Sequence, residues 1–329
     1  GHTSVNNTRW GLLGAGWISQ RAIVPAMHSA SGATLWSVGA RDVARAASLG
    51  PMGGAQDNYR SVVDDPEVDA IYIALDNAGH LPWIEAALDA GKPVLCEKPL
   101  TMNPGQTQRA LAWAHDRNGL LVEAAWNLWH PRTQRLLALI RGGAIGVVTS
   151  IDAHFTFDTV PHNNYRLDPL RGGGALLDVG CYALMLTAAV IDDDDSEIDV
   201  QSVERVVHEG GVDLQTHASL RAAGVQVTMG ASFIAPESQS VLIRGSHGSI
   251  WLSDPAFTSY LSASTLRCTS AEGTATETFP PVDAYAEMIT QVSAAVASRM
   301  GHHTTDHWLP DPQWSRWVST AMGQIAATT

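Results

Sequence analysis

Short apolar runs alternate with helical spacings along the first third of the chain. Apolar residues over 10–13 end in Gly14-Ala15-Gly16, and 18–29 then repeats with helical period. Further strands are predicted over 34–40, 70–74, 93–97 and 120–124, with helices over 43–49, 80–90 and 103–118 between them. Buried apolar strands separated by helices predict a parallel sheet covered on both faces. After Ala124 the texture changes. Helices are predicted over 133–141 and 175–191, followed by segments that alternate with period two over 200–208, 214–220, 225–233, 241–244 and 249–252. Turn residues such as Ala222-Ala223-Gly224 and Gly245-Ser246-His247-Gly248 separate these segments, which predicts an antiparallel meander. A helix over 283–300 closes the pattern. The expected fold is α/β, a Rossmann dinucleotide-binding domain over 1–124 followed by an α+β domain over 125–329 with an open, mainly antiparallel sheet. A sheet with no second helix layer leaves an apolar face, so a homodimer or homotetramer is expected.

Composition narrows the partners. The net charge of −13 makes nucleic acid a poor partner. The acidity lies in the second part: residues up to Ala124 carry 9 Lys+Arg against 12 Asp+Glu, the rest 11 against 21. The more balanced first part suits an anionic cofactor. The longest mostly apolar stretch, 183–191, is short of the ~18 residues of a membrane span. No basic segment followed by an apolar one opens the chain, and three scattered cysteines without CxxC spacing fit a reducing cytoplasm.

Four clusters carry candidate chemistry. Gly14, Gly16 and Ser19 form a GxGxxS turn between a strand and a helix, where a pyrophosphate can approach the backbone and the helix N-terminus. At the end of the second strand, Ala40 stands where an NAD site places an acid, and Arg41 follows. A guanidinium suits a 2′-phosphate, so NADP(H) is favoured over NAD(H); the alternative makes Arg41 a solvated loop residue and Asp42 a helix cap. Lys98 ends a parallel strand in Cys96-Glu97-Lys98-Pro99-Leu100 and is one of two lysines in a chain that otherwise uses arginine. Asp178 and Tyr182, four apart after Gly172-Gly173-Gly174, share a helix face. They read either as the wall of a polar site or as a buried tyrosine bonded to its own aspartate. No metal site is expected: the acidic run 192–195 reads as a solvated loop, and His302, His303 and His307 as a polar connection.

Taken in order, the GAGxI turn, the EKPL motif and the Asp-x-Gly-x-Tyr helix resemble the glucose–fructose oxidoreductase, inositol dehydrogenase and rhizopine-catabolism (Gfo/Idh/MocA) family. Tyr59-Arg60, His80, His130-Pro131 and the Gly245–Gly248 turn fit as well. The block from Tyr165-Arg166-Leu167-Asp168-Pro169 to Tyr182 looks most like the tyrosine branch, with its aldose dehydrogenases, nucleotide-sugar ketoreductases and dihydrodiol dehydrogenases. The resemblance implies an oxidoreductase moving a hydride between nicotinamide and a carbon of a sugar or cyclic polyol. It implies Lys98 and Tyr182 as the proton-transfer pair and Asp178 as a ligand of a substrate hydroxyl. Trp17, Ile18, Leu75, Asn77, His80 and Glu97 would join Gly14, Gly16, Ala40, Arg41 and Lys98 at the cofactor. Rival functions are a trans-dihydrodiol dehydrogenase, a glycosidase using its dinucleotide transiently, and a non-catalytic dinucleotide-binding regulator.

Overall fold

The computed structural model describes residues 6–193, 195–259, 262–302 and 306–329. The chain divides into two compact units, the first running to Thr101 and adding Gly105–Trp126 and Asp283–Pro312. The second comprises Met102–Pro104, Asn127–Val282 and Gln313–Thr329.

The first unit is built on β1 (Thr8–Leu13), β2 (Ala33–Gly39), β3 (Ala55–Gln56), β4 (Ala70–Ile73), β5 (Val94–Glu97) and β6 (Leu121–Ala124). Their order is β3-β2-β1-β4-β5-β6, with every pairing parallel. The order reverses between β1 and β4, and open α/β sheets bind ligands at the carboxyl ends of the strands beside such a reversal. Helices α1 (Val24–Ser29), α2 (Val43–Ser48), α3 (Tyr59–Val63), α4 (His80–Asp89) and α5 (Pro104–Asp116) connect the strands. A π turn over Ser19–Ile23 leads into α1. Leu13, Val62, Ile71, Ile73, Ile84, Val94 and Cys96 form a core between sheet and helices, which accounts for the unbroken apolar runs.

The helix expected to close the second domain belongs to the first unit instead. It spans Ala284–Arg299, and its Ser293 accepts hydrogen bonds from Thr8 Oγ1 at 3.1 Å and from Trp10 Nε1 at 3.0 Å. A single division after Ala124 is therefore corrected to a first unit completed by residues 283–312. Amphipathic spacing shows that a helix buries one face, not which sheet it covers.

In the second unit, α6 (Pro131–Arg141) precedes β7 (Val148–Thr156), and α7 (Cys181–Ile191) follows a π turn over Leu176–Gly180. The sheet continues with β8 (Ile198–Val207), β9 (Asp213–Ala222), β10 (Val225–Ser232), β11 (Ser238–Gly245), β12 (Gly248–Leu252), β13 (Ser264–Ser270) and β14 (Gly273–Phe279). After the helix of the first unit, α8 (Ala284–Arg299), the chain ends in α9 (Pro312–Ala327). The strand order is β14-β13-β12-β11-β7-β10-β9-β8. The continuous meander is corrected: β7 enters between β11 and β10 and runs parallel to β10, while the other pairs are antiparallel. Residues Pro169–Ile191 are long and apolar enough on composition to cross a membrane, yet 83% of their most apolar window is buried as the core helix of this unit.

One buried cation ties the second unit together. Arg132, 1% exposed, donates through Nη1 to Ser253 O, Ser253 Oγ and Thr265 O, each at 3.0 Å. Its Nη2 reaches Pro255 O, Ala256 O and Ser259 Oγ at 2.8–3.3 Å. Burial lowers its pKa to about 10, which leaves it charged at neutral pH. His130 caps α6: its Nδ1 accepts from Arg132 N, so Nε2 carries the proton and donates to Ser259 O at 3.2 Å. Arg132→Met should cost about 3–5 kcal/mol, because several carbonyls lose their donor in a largely buried place. Urea unfolding checks this, and a loss under about 1 kcal/mol would mean that the 253–265 segment finds other donors.

Candidate active site

Three sequence-predicted clusters lie at the carboxyl ends of the parallel strands of the first unit: Gly14–Ile18 after β1, Leu75–Asn77 after β4 and Lys98 after β5. Gly14 has φ +106°, and a Cβ there would run into the Ala74 carbonyl, so the tight turn requires glycine. A Cβ on Gly16 would meet nothing within 4 Å, leaving its backbone open to a ligand. Ser19 is buried and donates to Gly14 O at 2.8 Å, which ties the turn to the helix where a third glycine is usual. Trp17 is 66% exposed with the Arg21 guanidinium 5.3 Å above its ring. This cradle, with its helix start behind it, fits a dinucleotide pyrophosphate. Arg41 is exposed, and Asp42 is indeed a cap, accepting from Ala44 N and Arg45 N. Ala40 is buried and presents no carboxylate at the strand end.

The Lys98 turn is clamped from below. His80 is fully buried; its Nδ1 faces Pro99 O at 2.9 Å and Leu100 O at 3.1 Å, and its Nε2 faces Leu75 O at 3.1 Å. Its ring thus links the chain ends that follow β4 and β5. Burial lowers its pKa against the pull of those carbonyls. Glu123 on β6 accepts from Leu100 N at 2.7 Å and anchors the same turn. The peptide between Lys98 and Pro99 is cis.

Glu97 is almost wholly buried beside Lys98. Its Oε1 accepts from the phenols of Tyr72 at 3.3 Å and Tyr285 at 3.2 Å, and its Oε2 has no hydrogen-bond partner among the described residues. Trp126 stacks on Tyr285 with centroids 4.8 Å apart. Burial raises the Glu97 pKa to about 7, opposed by the Lys98 charge and the two phenols. Leu75 is half-buried and Asn77 buried at the end of β4.

The second unit holds the other cluster. The glycine-rich entry admits the chain's own backbone: a Cβ on Gly173 would lie 2.6 Å from Arg166 O and 2.7 Å from Tyr165 O. Gly174 N donates to Arg166 O at 2.7 Å, and Asp213 Oδ2 accepts from Leu176 N at 2.9 Å to cap the helix start. That approach delivers Arg166 to the helix. Its Nε donates to Asp178 Oδ2 at 2.8 Å, and Nη1 lies 3.4 Å from Asn164 Oδ1. The Tyr182 ring sits 5.2 Å from Phe155 and 5.8 Å from Phe257. Asp178 and Tyr182 are thus a carboxylate and a phenol, 8% and 7% exposed, on a helix buried along nearly its whole length. Arg166, Glu123, Asp213 and Tyr285 carried no role in the sequence, because each acts through a distant partner.

Residues 8–124 match the oxidoreductase family with an NAD-binding Rossmann fold, and residues 133–251 match the GFO/IDH/MocA C-terminal domain. The chain belongs to the GFO/IDH/MocA oxidoreductases. Within the family it is 31% identical to D-xylose 1-dehydrogenase (NADP(+)) 2 of Haloferax volcanii, over 87% of this chain and 88% of that protein. It is 31% identical to trans-1,2-dihydrobenzene-1,2-diol dehydrogenase of Xenopus tropicalis, over 74% of each chain. A solved 3-ketoreductase from Actinomadura kijaniata, in complex with NADP and TDP-benzene, superposes with a TM-score of 0.85 at 26% identity, covering 98% of this chain and 97% of that one. The family assignment makes the first unit an NAD(P)-binding Rossmann domain and the chain an oxidoreductase. No group of three or more metal-ligating side chains occurs among the described residues; His303 and Asp194 lie outside them.

Between pH near 4.5 and about 7 the folded chain keeps a proton on Glu97 that the unfolded chain has released, so this carboxyl lowers stability as pH rises through that window. Glu97→Gln removes the effect. The variant's melting temperature should gain on the wild type from pH 4.5 to 7.5, read by thermal unfolding across that range. A difference that does not change with pH would mean Glu97 ionises when buried as easily as in water.

Proposed function

We propose that this chain is an NADP(H)-dependent oxidoreductase that moves a hydride between the nicotinamide and a carbinol or carbonyl carbon of a sugar or cyclic polyol. The observation that carries the reading is the pairing of Asp178 with Tyr182 on an otherwise apolar core helix, in a chain of this family that also carries Lys98 at the end of β5. The D-xylose dehydrogenase likeness supports an aldose as substrate. Bound NADP(H) supplies the hydride acceptor or donor. The open backbone at Gly16 receives the pyrophosphate, and Arg41 takes the 2′-phosphate where Ala40 offers the ribose no acid.

Lys98 and Tyr182 serve as the proton-transfer pair. Tyr182 takes the hydroxyl proton in oxidation and returns it in reduction; an ammonium favours the phenolate this needs, since a free phenol, pKa about 10, is a poor base at neutral pH. Asp178 accepts from a hydroxyl beside the reacting carbon and holds the ring at reacting distance. The trans-dihydrodiol dehydrogenase reading keeps the same machinery on a different diol and is favoured by one similar relative. A non-catalytic regulator would need neither Lys98 nor Tyr182. The three cysteines, all free, suit the reducing cytoplasm.

Incubation with NADP⁺ and aldoses, dihydrodiols and nucleotide sugars tests the activity. Tyr182→Phe should leave cofactor binding intact while kcat falls about 100- to 10,000-fold, with Lys98→Ala comparable and the double variant little worse. Near-normal turnover by Tyr182→Phe on the true substrate would move the proton-transfer role elsewhere.

Arg41→Asp should weaken NADP(H) about tenfold to over a hundredfold while leaving NAD(H) much less affected. Equal wild-type affinity for the two cofactors, by fluorescence titration, would refute this assignment.

We also propose that copies associate through the second unit's sheet. Its face opposite α7 carries half-buried His154, His217, Leu242 and Trp251 on neighbouring strands. Light scattering should give at least a dimer, and a stable monomer at micromolar concentration would remove the claim.

A further inference from the structure

Arg166 is held more firmly than a loop arginine needs to be. Its backbone is already fixed: Arg166 O accepts from Gly174 N at 2.7 Å, Arg166 N donates to Asn164 Oδ1 at 3.0 Å, and Gly173 N reaches Asp168 O at 2.9 Å. The segment therefore stays tethered without the guanidinium. The side chain lies 5.1 Å from the Tyr165 ring and 6.0 Å from the Phe157 ring, which limits its rotamers. Nε is spent on Asp178 and Nη1 leans on Asn164, while Nη2 has no hydrogen-bond partner among the described residues. The side chain is 26% exposed and lies within electrostatic range of Tyr182.

We propose that Arg166 is a substrate-binding residue: with Asp178 it forms a donor–acceptor pair that grips one substrate hydroxyl, the one beside the reacting carbon. The hydroxyl donates its hydrogen to the Asp178 carboxylate and accepts from Nη2 of Arg166. The inference rests on the proposed sugar oxidoreductase and names the substrate class of that site. The ion pair has no net charge, so it recognises a neutral hydroxyl by satisfying both its donor and its acceptor. An analogue with hydrogen at that carbon would lose the bonds to both protein groups at once, which is how sites discriminate most sharply.

Calorimetric binding of D-glucose and 2-deoxy-D-glucose to the NADPH-loaded protein tests the pair without requiring turnover. The wild type should bind D-glucose at least about tenfold more tightly, the order expected for one charge-assisted hydrogen bond. Arg166→Met keeps the apolar stem against the rings and should shrink that ratio below about threefold, mainly by weakening D-glucose. Arg166→Lys, which restores a charge and a donor, should recover part of it. A wild type that does not bind D-glucose, or binds both sugars equally, overturns the proposal. So does an Arg166→Met variant that weakens both sugars alike, because that is the signature of a tether. Turnover by Tyr182→Phe separates this from the wider reading. Undiminished turnover there refutes the proposed chemistry, whereas lost turnover with a sugar ratio unchanged by Arg166→Met refutes the Arg166 role alone.

Discussion

Removing an ionisable group from water costs several kcal/mol unless neighbours replace the lost hydration, and this requirement shapes both units. In the first unit it explains why Tyr72 on β4 and Tyr285 on α8 turn their phenols toward the same oxygen of Glu97. It also explains why α8 belongs there: without Tyr285 the Glu97 carboxyl would keep a single phenolic donor. The Lys98 turn inherits its rigidity from the same strand ends, since Glu123 and His80 hold the next two residues from either side.

In the second unit the requirement falls on a helix. Residues from Cys181 to Val190 are all buried, and such a helix tolerates Asp178 at its start only with a cation alongside. The cation comes from the segment before it, which the missing side chain of Gly173 lets approach within hydrogen-bonding distance. The glycines, the arginine and the aspartate are therefore one device. A bulkier residue at Gly173 would displace Arg166 and leave the carboxylate to bear its desolvation alone.

Much of the first unit was legible because its strands are buried on both faces, so apolar runs and a glycine turn carry the signal. β3, two residues at the sheet edge, leaves no such trace. The second unit was read less well for a related reason. Thr274 to Thr278 on β14 are exposed or half-buried and show no apolar alternation, and in β7 only Ile151 and Ala153 are fully buried. With β7 unseen, the parallel pairing in the middle of the sheet could not be drawn. The motif residues Lys98, Asp178 and Tyr182 were visible as residue types in context, but their supports were not. The Arg166–Asp178 and Glu97–Tyr285 contacts join positions 12 and 188 apart, beyond the reach of any local pattern.

The degree to which a buried charge is satisfied separates Arg132 from Arg166 in the second unit. Arg132 spends both terminal nitrogens on six acceptors, all of them carbonyls or hydroxyls, and no carboxylate is among them. Such an ion has its hydration replaced by the fold, and it can do nothing further for a ligand. Arg166 is half-saturated, with one strong ion pair, one long contact and an amine to spare. On a side chain 26% exposed, that donor is open to water and equally to a ligand that displaces it. Saturation marks the first arginine as architecture; its lack, beside a carboxylate and a phenol, is what the proposed substrate-binding role of the second rests on.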